Sequence, residues 1–436
     1  MLSFVSKSIQ TCKSHVAKQV SLAMDSYHFR KQIHRLPGKV IHAIPLPEPD
    51  VTEGQGALQH AGEICRASGY ERVLVVTDRT LHSLGYEQAV VESLENAGIT
   101  CSVFADIDSE PTIAVIEAGK QLALDSRADC IIAPGGGSVI DTCKMIAAGV
   151  KMPHLPVKTL LLKFLPVPGG TLPLVMIPST AGTGAEVTVG AVVTNERGVK
   201  SSTVLIGLTV THVVLDSELT IHAPAAVTAA CGIDALSHCI EGAVSDVKVD
   251  DEDMHMSMEG VRLILTNLPK VMSEPKNAEA RLAMCRAAMY GGNAINTQLA
   301  GYVHAFAHSI GAMYHLSHGQ AIALMLMPVL EFQQKACQAK YDELAKYCGV
   351  PDFLSAIRDL MAQCGLDKTV SPIRACDHER LIPMIAADSI NYSAPVTLSN
   401  HDIKQVLEQV TNYDLHIDDY ESTVRNIVDT QRRFFR

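Results

Sequence analysis

Residues 301–320, GYVHAFAHSIGAMYHLSHGQ, place His304, His308, His315 and His318 in one stretch that contains no Asp, Glu, Lys or Arg. Imidazoles gathered in apolar surroundings suit metal ligation or proton transfer. His304 and His308 are four apart, so a helix sets them on one face. His318 lies beyond Gly311 in the short SHG element and is reached from a turn or a second helix. Upstream, GIDALSHCIE (232–241) gives Asp234 and His238 the same spacing. A carboxylate and an imidazole so placed can chelate a divalent ion, and they equally fit an intrahelical hydrogen bond. One carboxylate and three imidazoles make a four-ligand set for Fe2+ or Zn2+, and the missing thiolates disfavour a structural zinc site. Each histidine taken singly also fits a core or helix-surface position with its hydrogen bonds satisfied. Spacing alone does not choose among the four histidines, nor does it bring Asp234 to them.

Three further stretches carry a second kind of chemistry. In PGGGSVIDTCK (134–144), Gly135, Gly136 and Gly137 follow an apolar run and precede a helical pattern. Glycines let the backbone approach a ligand, and a helix start offers unpaired N–H groups and a positive dipole end, which suits a phosphate. A tight strand-to-helix turn needs fewer glycines but would look similar. The pattern is neither GxGxxG nor a P-loop. PSTAGTGAEVT (178–188) supplies Ser179, Thr180 and Thr183 on a second glycine-containing loop at a strand end, where open α/β sheets bind ligands. VVTD (75–78) ends a strand in Asp78, which suits ribose hydroxyls or, alternatively, a helix cap.

These segments sit in a regular frame. Apolar runs at 71–78, 99–107 and 128–138 read as strands, and 87–98, 112–126 and 138–150 read as helices. Strand–helix alternation with buried strands predicts a parallel sheet covered on both faces. The Pro- and Gly-rich 153–173 reads as an irregular connection. Further strands are expected at 172–178, 190–196 and 211–217. Beyond Asp216 the pattern turns helical, at 223–244, 254–268, 278–295, 341–350, 401–412 and 422–435. The expected division is a basic extension (1–44), an α/β domain (45–217) and an all-helical domain (218–436), with no internal repeat.

Composition bounds the function. The chain has 436 residues, 47% hydrophobic and 19% charged, which suits a compact protein with generous cores. A net charge of −11 argues against general nucleic-acid binding, and no apolar run approaches a membrane span. The 12 cysteines include no CxxC pair, so free thiols in a reducing compartment, the cytoplasm, are expected. The start is basic, and Asp25 is its one acid before Pro47. That is the composition of a surface extension or of a mitochondrial transit segment.

The motifs EGQGAL, VVTD, GGGSVIDTCK, PSTAGTGAEVT, GIDALSHCIE and VHAFAHSIGAMYHLSHG together resemble the iron-dependent (group III) alcohol dehydrogenases, in their order and spacing. Lactaldehyde reductase and 1,3-propanediol dehydrogenase are relatives in that family. The likeness runs from about Gly54 to the C-terminus. It implies a Rossmann-like NAD-binding domain followed by an all-helical metal-binding domain, a fold like that of dehydroquinate synthase. By motif, the resemblance implies Asp234, His238, His304 and His318 as metal ligands. It implies His308 as a catalytic neighbour of the nicotinamide, and no role for His315. Gly136, Gly137, Ser138 and Asp141 correspond to the pyrophosphate loop, and Ser179, Thr180 and Thr183 to the cofactor-binding threonine loop. Asp78 corresponds to the acid that favours NAD over NADP, and Val192 and Lys200 to further cofactor contacts. Three departures stand out: Ser317 replaces a common proline, Ile322 replaces an asparagine, and SEPT (109–112) replaces a PNPT-like turn.

The expected activity is hydride transfer between an alcohol or aldehyde and NAD(H), assisted by a divalent ion, Fe2+ or Zn2+, that lowers the pKa of the alcohol. The expected partner is a small alcohol or aldehyde, with neither nucleic acid nor membrane, in a homo-oligomer. Two rivals remain at this stage: a dehydroquinate synthase-like lyase, which needs more basic groups than 218–330 offers, and a non-catalytic assembly protein on the same fold.

Overall fold

The computed structural model describes residues 46–108, 110–196, 200–366 and 371–413. The basic extension (1–44) and the helix expected at 422–435 lie outside the described residues. Packing divides the described chain into two compact units, one of 46–240 with 250–297, the other of 241–249 with 298–413.

The first unit is built on a six-stranded parallel sheet. Its strands are β1 (Asp50–Gly54), β2 (Arg72–Asp78), β3 (Thr100–Ile107), β4 (Cys130–Gly135), β6 (Leu174–Pro178) and β9 (Val210–Asp216), in the order β1-β9-β6-β4-β2-β3. A smaller sheet, β5-β8-β7, joins β5 (Phe164–Pro166), β8 (Lys200–Ile206) and β7 (Gly190–Thr194), with β7 antiparallel to β8. Successive strand residues point to opposite faces. Leu74, Val76, Ile131, Ala133 and Met176 enter one core, while Val73, Val75, Ile132, Val175 and Ile177 enter another. Both faces are therefore covered, which is why these strands read as unbroken apolar runs instead of alternating ones.

The helices follow in chain order. α1 (Ala61–Ala67), the single turn α2 (Arg79–Ser83) and α3 (Gln88–Asn96) come first, and α1 and α3 line one core through Ile64, Cys65, Val90 and Leu94. α4 (Ile113–Asp125) and α5 (Gly137–Lys151) line the other through Ile116, Ala123, Val139 and Ile146. After β9 come α6 (Ser217–Thr220), α7 (Ala225–Val244), α8 (Asp251–Ser273) and α9 (Ala278–Gln298). Asp250 caps α8 by accepting the Asp253 N–H at 2.9 Å.

The second unit is helical: α10 (Tyr302–Tyr314), α11 (His318–Cys348), α12 (Phe353–Gln363), α13 (His378–Asp388) and α14 (Asn400–Glu408). Ser317 opens α11 with a capping box to Gln320. That gives a reason for serine where the family resemblance expects proline. Gly349, at φ 70°, ends α11 in the left-handed conformation. His315 closes α10 at φ 55°, an unusual conformation for a residue with a Cβ.

The sequence-based reading missed three strands. β5 lies in the stretch expected to be irregular, β1 is a polar edge strand, and β8 opens with four polar residues before its apolar end, Val204–Ile206. Each draws its pairing from tertiary context more than from its own composition.

The sheet order also locates a crevice. From β2 the chain steps outward to β3, then returns to the other side of β2 as β4. The direction of winding reverses between β2 and β4, and open α/β sheets bind ligands outside the carboxyl ends of strands at such a reversal. Asp78 ends β2 and Gly135 ends β4.

Candidate metal and nucleotide sites

Asp234 and His238 lie one turn apart on α7, both nearly fully buried, with Asp234 Oδ1 3.7 Å from His238 Nε2. Gly291 of α9 makes the room: a Cβ there would lie 3.0 Å from the Cβ of His238. Three residues after His238, on the same continuous helix, stands Glu241. Its carboxylate is buried in the second unit and accepts the Val303 N–H at 2.6 Å through Oε1. Its Oε2 lies 2.5 Å from Nδ1 of His304. An ionised carboxylate only accepts, so Nδ1 carries the proton and Nε2 keeps the lone pair a metal needs. A Cβ on Gly301 would come within 2.8 Å of Glu241 Oε1, so glycine there leaves space for this carboxylate.

His304, His308 and His318 form a triangle of rings in the second unit. Ring centroids are 5.5 Å apart for His304 and His318, 5.9 Å for His304 and His308, and 5.2 Å for the stacked His308 and His318. His318 is the first residue of α11, so it comes from a second helix and not from a turn. Nδ1 of His308 lies 2.8 Å from the Tyr392 hydroxyl and 3.4 Å from Asp388 Oδ2. Nearly half of the His308 side chain reaches solvent while the rest is packed. Desolvation lowers its pKa, Asp388 opposes that shift, and His318 and His304 add to it.

The chemistry of these donors fits a divalent ion. Within the first unit Asp234 and His238 offer a buried carboxylate and imidazole one turn apart, and within the second unit the carboxylate behind His304 is the device by which proteins fix a ligating tautomer. Sequence reasoning quoted Glu241 in its motif and gave it no role. Its spacing, three after His238 and seven after Asp234, was the available signal. Tyr392 and Asp388 lie some eighty residues from His308 in sequence, and nothing local announces them.

The nucleotide candidates lie in the first unit. Gly136 caps α5, and the backbone N–H groups of Gly137 and Ser138 open it. Gly135 has no room for a side chain, since a Cβ would sit 2.4 Å from Val139. The second loop packs against the first: Thr183 Oγ1 would lie 3.1 Å from a Cβ on Gly137, and Thr180 3.6 Å from one on Gly136. The Ser179 N–H donates to Gly135 O at 3.0 Å. Ser179, Thr180, Thr183, Gly136, Gly137 and Ser138 are thus brought together.

Other expected contacts have partners of their own within the protein. Asp78 caps α2, with Oδ1 accepting the Leu81 N–H at 2.9 Å. Asp141 accepts the Val192 N–H at 2.9 Å through Oδ2 and pairs with Lys144 through Oδ1. Lys200, exposed, pairs with Glu110 at 2.7 Å.

The comparisons decide the family. A profile for iron-containing alcohol dehydrogenase matches residues 48–217, and one for the C-terminal region of the Fe-containing alcohol dehydrogenase family matches 228–411. Choline dehydrogenase of Bacillus subtilis is 33% identical over 318 residues, covering 71% of this chain and 77% of its own. The chain belongs to the iron-containing alcohol dehydrogenase family. The structure of a 1,3-propanediol oxidoreductase is similar at 28% identity with a TM-score of 0.77, covering 84% of this chain and 99% of its own. A sulfoacetaldehyde reductase from Bifidobacterium kashiwanohense, solved in complex with NAD+, is similar at 25% identity and a TM-score of 0.78, covering 85% and 99%. The activity that this chain shares with the family is that of an iron-containing alcohol dehydrogenase. The lyase alternative finds no such support. No helix among the described residues is long and apolar enough to cross a membrane, and every cysteine among them is a free thiol.

Proposed function

We propose that Asp234, His238, His304 and His318 hold one divalent ion, Fe2+ or Zn2+, and that the glycine and threonine loops hold NAD(H), so that a small alcohol or aldehyde is interconverted at that ion. The observation that supports the reading is the buried His304 imidazole held at Nδ1 by the Glu241 carboxylate, together with the buried Asp234–His238 pair one turn apart on α7. When bound, the ion supplies Lewis-acid polarisation of the substrate oxygen and the nicotinamide supplies the hydride exchange.

The chain's own groups do the rest. Glu241 keeps the proton of His304 on Nδ1. Asp234 contributes the one negative charge of the ligand set, which leaves a divalent ion more electrophilic than thiolates would. Gly136, Gly137 and Ser138 receive the pyrophosphate on the N–H groups that open α5, and Ser179, Thr180 and Thr183 add hydroxyls beside it. Asp78 reaches the adenosine ribose and disfavours a 2′-phosphate, with Val192 and Lys200 as flanking contacts. His308, half-exposed and held by Tyr392, orients the nicotinamide or passes the alcohol proton toward water. The enzyme works as a homo-oligomer in the cytoplasm, and the basic start of the chain keeps the mitochondrial matrix as the alternative.

The test is a panel of alcohols with NAD+ and NADP+, and of aldehydes with NADH and NADPH, run on protein of measured metal content. Activity lost on dialysis against a chelator and restored by Fe2+ or Zn2+ is expected. Full activity in metal-free protein would refute the reading.

A further inference from the structure

Lys144 is a lysine with no exposed surface, on α5 seven residues after Gly137 and therefore two turns below the glycine loop on the same side. Lysine is almost never this deeply buried unless paired. Its ammonium donates to Gly190 O at 2.6 Å, to Thr188 Oγ1 at 3.1 Å and to Asp141 Oδ1 at 3.2 Å. These three bonds use its three protons. Asp141 in turn accepts the Val192 N–H with its other oxygen. The network joins α5 to the start of β7, the strand into which the threonine loop runs. Above it the two loops touch at Gly137 and Thr183.

We infer that Lys144 is a positioning residue: with Asp141 it fixes the spacing between the glycine loop and the threonine loop, and so preorganises the nucleotide site. This rests on the NAD(H) reading of those loops. A buried ion pair is a costly way to join two elements, and an apolar pair of similar size would stabilise the fold as well or better. Its distinctive product is geometric, because three directed bonds from one ammonium tie the start of β7 to α5 in a defined orientation. Glu186, on the threonine loop, is buried beside this network, and Lys144 partly opposes the rise that burial imposes on its pKa.

The experiment compares the metal-loaded wild type with Lys144→Met, which keeps the stem and removes the charge, and with the double variant Asp141→Asn/Lys144→Met. NADH binding is followed by fluorescence titration, and steady-state constants for NAD+ and for alcohol are measured separately. Lys144→Met is expected to weaken NADH binding and raise KM for NAD+ by 10-fold or more (about 1.4 kcal/mol per factor of ten). The alcohol KM should stay within twofold, and the double variant should recover part of the loss. A folded Lys144→Met with wild-type nucleotide affinity overturns the inference, as does a variant in which all constants worsen alike. If that variant does not fold, Thr188→Val removes one bond of the three and is read by the same split. Wild-type protein that binds no NADH would instead refute the nucleotide reading itself, so the two failures are distinct.

Discussion

Replacing Glu241 by glutamine changes one atom and should disable His304 as a ligand. In the native site both carboxylate oxygens accept, one from the Val303 N–H at 2.6 Å and one from Nδ1 of His304 at 2.5 Å. A glutamine can satisfy Val303 only with its carbonyl oxygen, which turns its NH2 group toward Nδ1. That donor forces Nδ1 to accept, so the ring proton moves to Nε2 and blocks the lone pair a metal would use. The reverse amide orientation sets NH2 against the Val303 N–H, two donors face to face in a buried site. Outer-shell substitutions of this kind typically cost 10- to 100-fold in metal affinity, or about 1.4 to 2.7 kcal/mol. The assay is a competition titration of Fe2+ or Zn2+ against a chelator of known affinity, with circular dichroism and melting temperature as controls for folding. Gly301→Ala is the companion variant, because its Cβ would press on Glu241 Oε1 from 2.8 Å. A folded Glu241→Gln protein that holds metal as tightly as wild type would refute the reasoning.

Glu186 yields a prediction about pH. Burial pushes its carboxyl up to about 7. A folded pKa above the unfolded one means the native state binds more protons through that interval, so stability falls as pH rises from about 4.5 toward 7. The loss attributable to this group is on the order of 3 kcal/mol, fully incurred above pH 7, and Glu186→Gln should flatten the urea-denaturation profile between those limits. An unchanged slope in the variant would show that Glu186 is already ionised in the fold. Asp78→Ala removes the cap of α2 and should cost about 1 kcal/mol in thermal or urea denaturation while raising kcat/KM for NADP+ relative to NAD+. A lost cap with an unaltered cofactor ratio would leave Asp78 as a capping residue only. Gly184→Ala should destabilise by more than 1 kcal/mol, on the order expected for strained substitutions: its φ is +60° and a Cβ would lie 2.4 Å from Ala288 O. The same change should weaken NADH binding by shifting the threonine loop, and calorimetry with and without NADH checks both effects.

Much of this protein was legible along the chain. The alternation of apolar runs and amphipathic stretches from 71 to 151 locates β2 to β4 and α3 to α5 within a few residues, because strand and helix periods differ and both faces of the sheet are buried. The i,i+4 pairs, Asp234 with His238 and His304 with His308, follow from helix geometry once the helices are granted. What stayed hidden depends on partners distant in sequence. β1 and β8 carry weak strand signals of their own and are held as strands by pairing with β9 and β7, and the reversal between β2 and β4 exists only in the assembled sheet. Spacing presents four equivalent histidines. The fold separates them: Glu241 grips His304, His308 leans on Tyr392, His318 opens α11, and His315 closes α10 in a left-handed turn. Asp141 shows the same division, since its motif suggests a ligand contact while its oxygens hold Lys144 and the Val192 N–H in place. Residue type and period are local properties that a chain carries unfolded. Which carboxylate faces which imidazole, and which proton that fixes, is decided only when helices far apart in sequence bury those groups together and water no longer competes for their hydrogen bonds.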